Sequence, residues 1–91
     1  MPFFVYLLEC RDKTYYCGCT NNITARLAKH NNCKGAKYTR GRLPVKLVFL
    51  ERKKGKSAAL KREAEIKRMV RKEKAALILR RNTELTKKTG I

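Results

Sequence analysis

Glu63 stands where an apolar side chain is expected. In a helix predicted from Ser57 to about Val70, a step of about 100° per residue puts Ala59, Leu60, Ala64, Ile66 and Val70 on one apolar stripe. Glu63 falls in the middle of that stripe, whereas Glu65 lies on the solvated side. A carboxylate aimed at an apolar interface must pair with a cation or a metal, or shift its pKa. An ion pair with Arg26 is the structural reading; a working carboxylate, in a chain with so few acids, is the functional one. Arg26 and His30 are four residues apart on another predicted helix, and so are neighbours on one face. An arginine there can grip a phosphate through two parallel hydrogen bonds, and a histidine can move a proton near neutral pH. The plainer alternative is a solvated basic face. Tyr6 and Tyr16 fall inside predicted strands, where a tyrosine usually fills the core. Gly18 weakens its strand unless a backbone or ligand must come close.

The elements that must position these groups can be read along the chain. Phe3–Cys10 has the aromatic and branched residues of a strand, Arg11-Asp12-Lys13 makes a polar turn, and Thr14–Thr20 is β-prone again. The pair predicts an antiparallel hairpin. Asn21-Asn22 is an N-cap signal for a helix over Ile23–Asn31, with Ile23, Leu27 and Ala28 on its inner side. Residues 33–44 read as a basic loop around Tyr38, and Val45–Glu51 as a third strand. Ser57 is the expected N-cap of the second helix, and a third helix or bent continuation covers about residues 72–81. The order ββα-β-αα predicts an α+β fold, a small three-stranded, mainly antiparallel sheet flanked by three helices. One domain is expected over residues 1–82, with 83–91 as a basic, disordered tail.

Charge points to the partner. Twenty-four Lys and Arg against seven acidic residues give a formal net charge of +17. A polyanion would relieve that self-repulsion while shedding its own counterions, which favours nucleic acid over a membrane surface. Lys29, Lys34, Lys37, Arg40, Arg42 and Lys46 are the expected phosphate contacts, and Tyr38 among them could stack on an unpaired base. The longest apolar run, Phe3–Leu8, is far short of the ~20 residues that span a bilayer, and the amino terminus lacks a secretory pattern. A cytoplasmic, monomeric protein is the default expectation. Cys10, Cys17, Cys19 and Cys33 fit free thiols better than a zinc site, because Cys17 and Cys19 are spaced C-x-C where structural zinc takes C-x(2–4)-C pairs.

Taken in order, these residues resemble the signature of the GIY-YIG nuclease superfamily. Phe4-Val5-Tyr6 corresponds to its first motif and Tyr16-Cys17-Gly18 to its second. Arg26 and His30 follow on the first helix, and Glu63 on a later one. The segments CTNNITARLAKHN, GAKYTRGRLPVKLV and ALKREAEIK are similar to small standalone bacterial members related to the catalytic subunit of a structure-specific endonuclease. The resemblance covers roughly residues 3–80. Phe4-Val5 and Cys17 depart from the family's residues but keep apolar strand character. Cys19 stands where some members carry a lysine that Lys29, Lys34 or Lys37 could replace in space. The resemblance implies metal-dependent hydrolysis of phosphodiester bonds in DNA, branched or otherwise structured DNA included. Glu63 would hold one Mg²⁺ or Mn²⁺, Arg26 would stabilise phosphoryl charge, Tyr6 or Tyr16 would activate water as a phenolate, and His30 would tune that tyrosine. Without an attached recognition domain, specificity would be weak or supplied by a protein partner. Two other readings remain at this stage: a non-catalytic nucleic-acid-binding module on the same fold, and a basic structural protein of a ribonucleoprotein, which explains the charge but not Glu63.

Overall fold

A computed structural model describes residues 2–32 and 35–88, with side chains followed to Arg80. The continuous apolar run near the amino terminus becomes β1 (Phe3–Glu9), the central strand of the sheet. It is flanked by β2 (Tyr15–Thr20) and β3 (Lys46–Lys53) in the order β2-β1-β3, with both pairings antiparallel. A central strand is covered on both faces, which is why its side chains are apolar without alternation. Val5, Tyr6, Leu7 and Leu8 are all buried.

The two faces carry separate cores. Val5, Leu7, Cys17 and Phe49 pack against Ala59 and Ile66 of α3 (Lys56–Lys67), with Leu77 and Ile78 of α4 (Arg71–Lys88) closing over them. Tyr6, Leu8, Cys10 and Val45 face the other way, toward Ile23 and Leu27 of α1 (Ile23–Asn31). Adjacent residues of β1 therefore serve opposite cores, as the period of a strand requires. A bulge in the β1–β3 pairing lets Leu7 oppose Phe49 while Leu8 opposes Leu47, so Val48 has no partner across the pair. No helix among the described residues is long and apolar enough to cross a membrane.

Several expectations need correction. The basic segment 33–44 contains a one-turn helix, α2 (Lys37–Arg40), where a loop was expected. It is fixed from inside, by the buried Thr39 hydroxyl bonded to the Ala36 carbonyl at 2.9 Å. α3 starts one residue before Ser57 with Gly55 at its N-cap, and ends at Lys67, not near Val70. Leu60 and Val70 are 47% and 63% exposed, so the buried stripe of α3 is narrower than the wheel implied and centres on Ala59 and Ile66. β3 runs on to Lys53, two residues past its expected end. α4 continues to Lys88, so no break in the backbone marks residue 82. That stretch contains neither Gly nor Pro to stop the helix. Lys34 and Cys33 lie outside the described residues.

Candidate active site

Tyr6 points from the middle of β1 toward α1, and its hydroxyl is the hub of the site. His30 Nε2 lies 3.2 Å from it, and the Arg26 Nε–H donates to it at 3.4 Å. α1 brings both residues there because Asn22 caps its first turn, accepting from Ala25 N at 3.1 Å, and so fixes where the helix begins. His30, one turn after Arg26, is fully buried, and its Nδ1 lies 2.8 Å from Thr39 Oγ1 of α2. Tyr16 of β2 joins from the same face, with ring centroids 5.3 Å from His30 and 6.5 Å from Tyr6. Two glycines make room for the cluster. A Cβ on Gly18 would come within 2.5 Å of the Tyr6 hydroxyl, and one on Gly35 within 2.4 Å of His30 Nδ1. The close approach inferred at Gly18 is thus made by a side chain of the neighbouring strand.

Burial dominates the electrostatics here. It pushes the Tyr6 phenol above its ordinary pKa, with Arg26 pulling only partly the other way. Burial thus disfavours Tyr6 as the phenolate that the resemblance implies for Tyr6 or Tyr16. Arg26 is held charged, chiefly by its hydrogen bond to Tyr6. No carboxylate pairs with it among the described residues, which leaves a half-buried cation held only by phenols. The Arg26–Glu63 ion pair considered from the sequence does not form.

His30 is held neutral, first by burial and then by the Arg26 charge, and the other groups facing it are Tyr6, Tyr16 and the Thr39 hydroxyl. An unfolded imidazole titrates near about 6.5. Below that pH the unfolded chain binds a proton that the folded one refuses, so stability should fall as the solution is acidified. Urea unfolding between about pH 7.5 and 5, a window above the carboxylates, should show this loss. The loss should flatten in His30→Gln.

Glu63 lies elsewhere. α3 packs on the Val5/Leu7 face, so Glu63 approaches the sheet from the side opposite Arg26 and reaches the edge strand β2 beside Cys17 and Cys19. Its carboxylate, 15% exposed, takes Lys67 Nζ at 2.7 Å. Burial, and then the hydrogen bond and charge of Glu63, push the Cys19 thiol up to about 11. Strand alternation turns Cys17 and Cys19 toward Glu63, and Tyr16 and Gly18 toward Arg26. β2 is an edge strand with the two halves on its opposite faces, so Glu63 does not share one concave surface with Tyr6, Arg26 and His30.

The other expected contacts divide. Lys29, Lys37, Arg40 and Lys46 are exposed. Tyr38 is 38% exposed, with the Arg42 guanidinium 4.0 Å from its ring centroid and the Tyr16 ring stacked 6.0 Å away. Arg42 is also bonded to Asp12 at 2.9 Å and to the Tyr38 carbonyl. Lys67 and Lys56 of α3 lie near enough to act on Cys19. Arg71 and Lys74 line a cavity of about 160 Å³ with Thr14 and Tyr15, farther along the same edge strand. Sequence reasoning missed this second set, and missed Thr39, because spacing does not reveal which sheet face a helix covers.

As a metal ligand Glu63 has the right chemistry. It is a hard oxygen donor that already holds a cation, and that cation sits on a 54% exposed stem. Among the described residues no group of three or more His, Cys, Asp and Glu could hold a metal.

Comparison with known proteins shows the family. The profile of the GIY-YIG catalytic domain matches residues 2–76. A UPF0213 protein of Syntrophus aciditrophicus is 59% identical over 76 residues, covering 82% of this chain and 87% of that protein. A UPF0213 protein of Natronomonas pharaonis is 52% identical over 75 residues, covering 82% and 88%. Among solved structures, the UPF0213 protein BH0048 from Bacillus halodurans superposes with a TM-score of 0.56 at 42% identity, over 86% of this chain and 83% of that one. The protein EF2693 from E. faecalis gives 0.57 at 38% identity, over 81% and 79%.

Proposed function

Because the chain belongs to the GIY-YIG family, whose catalytic domains are nuclease-type hydrolases generally using a divalent metal, we propose that it is a Mg²⁺- or Mn²⁺-dependent endonuclease. Its bonds are the phosphodiesters of DNA, branched or otherwise structured forms included, and it works at the free edge of β2. The observation that carries this reading is Arg26, a half-buried cation aimed by Tyr6 and lacking any carboxylate partner among the described residues. Such a cation is completed by an anion, and a phosphoryl group takes two parallel N–H bonds from a guanidinium.

The residues divide the work. Arg26 binds the scissile phosphate and offsets the charge that builds on its oxygens. Tyr6 keeps its proton, by virtue of burial, and orients Arg26. Tyr16, half-buried at the strand edge, is left to place the attacking water and take its proton. Glu63 holds the metal, which when bound supplies positive charge to polarise the phosphate and stabilise the leaving oxygen. Lys67 swings away on its exposed stem to free the carboxylate. Exposed cations on both sides of β2, Lys29, Lys37 and Arg40 from one and Lys67 and Arg71 from the other, with the half-buried Lys74 beside them, hold the flanking phosphates.

The test is incubation with end-labelled duplex, flap and branched DNA in Mg²⁺, Mn²⁺ or EDTA. Cleavage in either metal and none in EDTA is the expected result. Tight binding without cleavage of any substrate would leave the non-catalytic binding module as the function.

A further inference from the structure

The hydrogen bonds around His30 admit one polarity, and it makes Thr39 part of the site. Thr39 has a single hydroxyl proton. Its oxygen lies 2.9 Å from the Ala36 carbonyl, which also accepts from Thr39 N–H and Arg40 N–H. The direction is decided at Tyr6: that buried O–H has only His30 Nε2 to donate to among the described residues, because Arg26 can only donate, and the Thr39 proton then goes to Ala36. Toward His30 Nδ1, at 2.8 Å, Thr39 can then only accept, so Nδ1 carries the imidazole proton. The neutral ring is left with a lone pair on Nε2, and the Tyr6 hydroxyl, 3.2 Å away, donates to it. That donation turns a phenolic lone pair toward Arg26, whose Nε–H donates at 3.4 Å. Every bond runs in a definite direction, and no buried side-chain nitrogen or oxygen among the described residues lacks a partner.

We propose that Thr39 is a positioning residue: by fixing the tautomer of His30 it orients the Tyr6 hydroxyl and, through it, the Arg26 guanidinium. This rests on the nuclease reading for its consequence in catalysis, but the tautomer itself does not. Thr39 touches no reacting atom and acts through two buried side chains, each fully or almost fully covered. Its place in α2 serves that role. The one-turn helix leaves Lys37, Tyr38 and Arg40 outside and sends only Thr39 inward. Gly35 permits the approach, since any side chain there would collide with the His30 ring. Without the hydroxyl, Nδ1–H would be buried with no acceptor, and the proton would move to Nε2. The Nε2–H would then compete with Arg26 for the same oxygen of Tyr6.

Imidazole ¹⁵N NMR on the whole protein tests this. The parent should show His30 with a pyrrole-type Nδ1 and a pyridine-type Nε2. Thr39→Val, which keeps the shape but not the hydroxyl, should reverse them, and Thr39→Ser should restore them. In the cleavage assay, Thr39→Val should lower kcat by roughly tenfold to a hundredfold with KM little changed, as expected when a catalytic cation is misaimed, and Thr39→Ser should recover most of the rate. A parent His30 protonated on Nε2, or a tautomer unchanged in Thr39→Val, overturns the proposal. If Thr39→Val does not fold, the parent and Thr39→Ser spectra still decide the tautomer. A parent with the expected tautomer but no cleavage would instead remove the nuclease reading and leave the orientation of Tyr6 standing.

Discussion

Glu63→Gln should abolish cleavage and leave the protein folded. The carboxylate is mostly covered, but its one ion-pair partner, Lys67, is 54% exposed, so removing the negative charge strands no buried cation. Pairs of that kind are worth about 0–1 kcal/mol, and glutamine keeps the volume and an oxygen. The cost to a metal-assisted step is far greater, because several kcal/mol of charge stabilisation depend on the ligand, and each ~1.4 kcal/mol is tenfold in rate. A fall of about a thousandfold or more is expected, with DNA affinity measured in EDTA unchanged. A melting temperature far below the parent's would show instead that Glu63 is a structural ion-pair residue.

Gly18→Ala should have the largest effect on stability. Gly18 lies directly across the β1–β2 pair from Tyr6, and an added Cβ would sit 2.5 Å from the phenol oxygen and 2.7 Å from its ring carbon. Tyr6 is 1% exposed and bonded to His30 and Arg26, so its ring has no free space to enter. Overpacking of this sort costs about 1–3 kcal/mol. In a domain of this size each kcal/mol lowers the melting temperature by about 4–8 °C. The same displacement opens the Tyr6–Arg26 bond, so cleavage should fail even below the melting point. Gly41→Ala is the control: nothing lies within 4 Å of its would-be Cβ, and its melt should match the parent's. Equal melts for the two variants would mean that Gly18 is not packed against Tyr6.

Much of this site was legible in the sequence because its elements follow short periods. Alternation along Tyr15–Thr20 places Tyr16 and Gly18 on one face, and the four-residue step from Arg26 to His30 places both on one side of α1. The chain's charge points to a polyanionic partner, and its run of motifs carries the resemblance to the family. The face that a helix covers is a different kind of information. The stripe of α3 announced that the helix would be buried, but nothing local said it would pack opposite α1, and this alone separates Glu63 from Arg26. The exposure of Leu60 and Val70 has the same origin, since α3 needs only Ala59 and Ile66 to seat on the sheet. Thr39 was hidden for another reason: a single turn of helix among glycines and cations has no period to detect, and its cause is a hydrogen bond to a residue nine positions earlier.

The central claim is that Arg26 on one face and Glu63 on the other serve one phosphate across the edge of β2. A double-mutant cycle of Arg26→Ala and Glu63→Gln, read as single-turnover cleavage rate on one DNA substrate in Mg²⁺, tests it most directly. Groups that act as a unit are strongly non-additive. Each single variant should lose most of the rate, and the double variant should be little slower than the worse of the two. Losses that simply multiply, or a Glu63→Gln variant that cuts as fast as the parent, would contradict it.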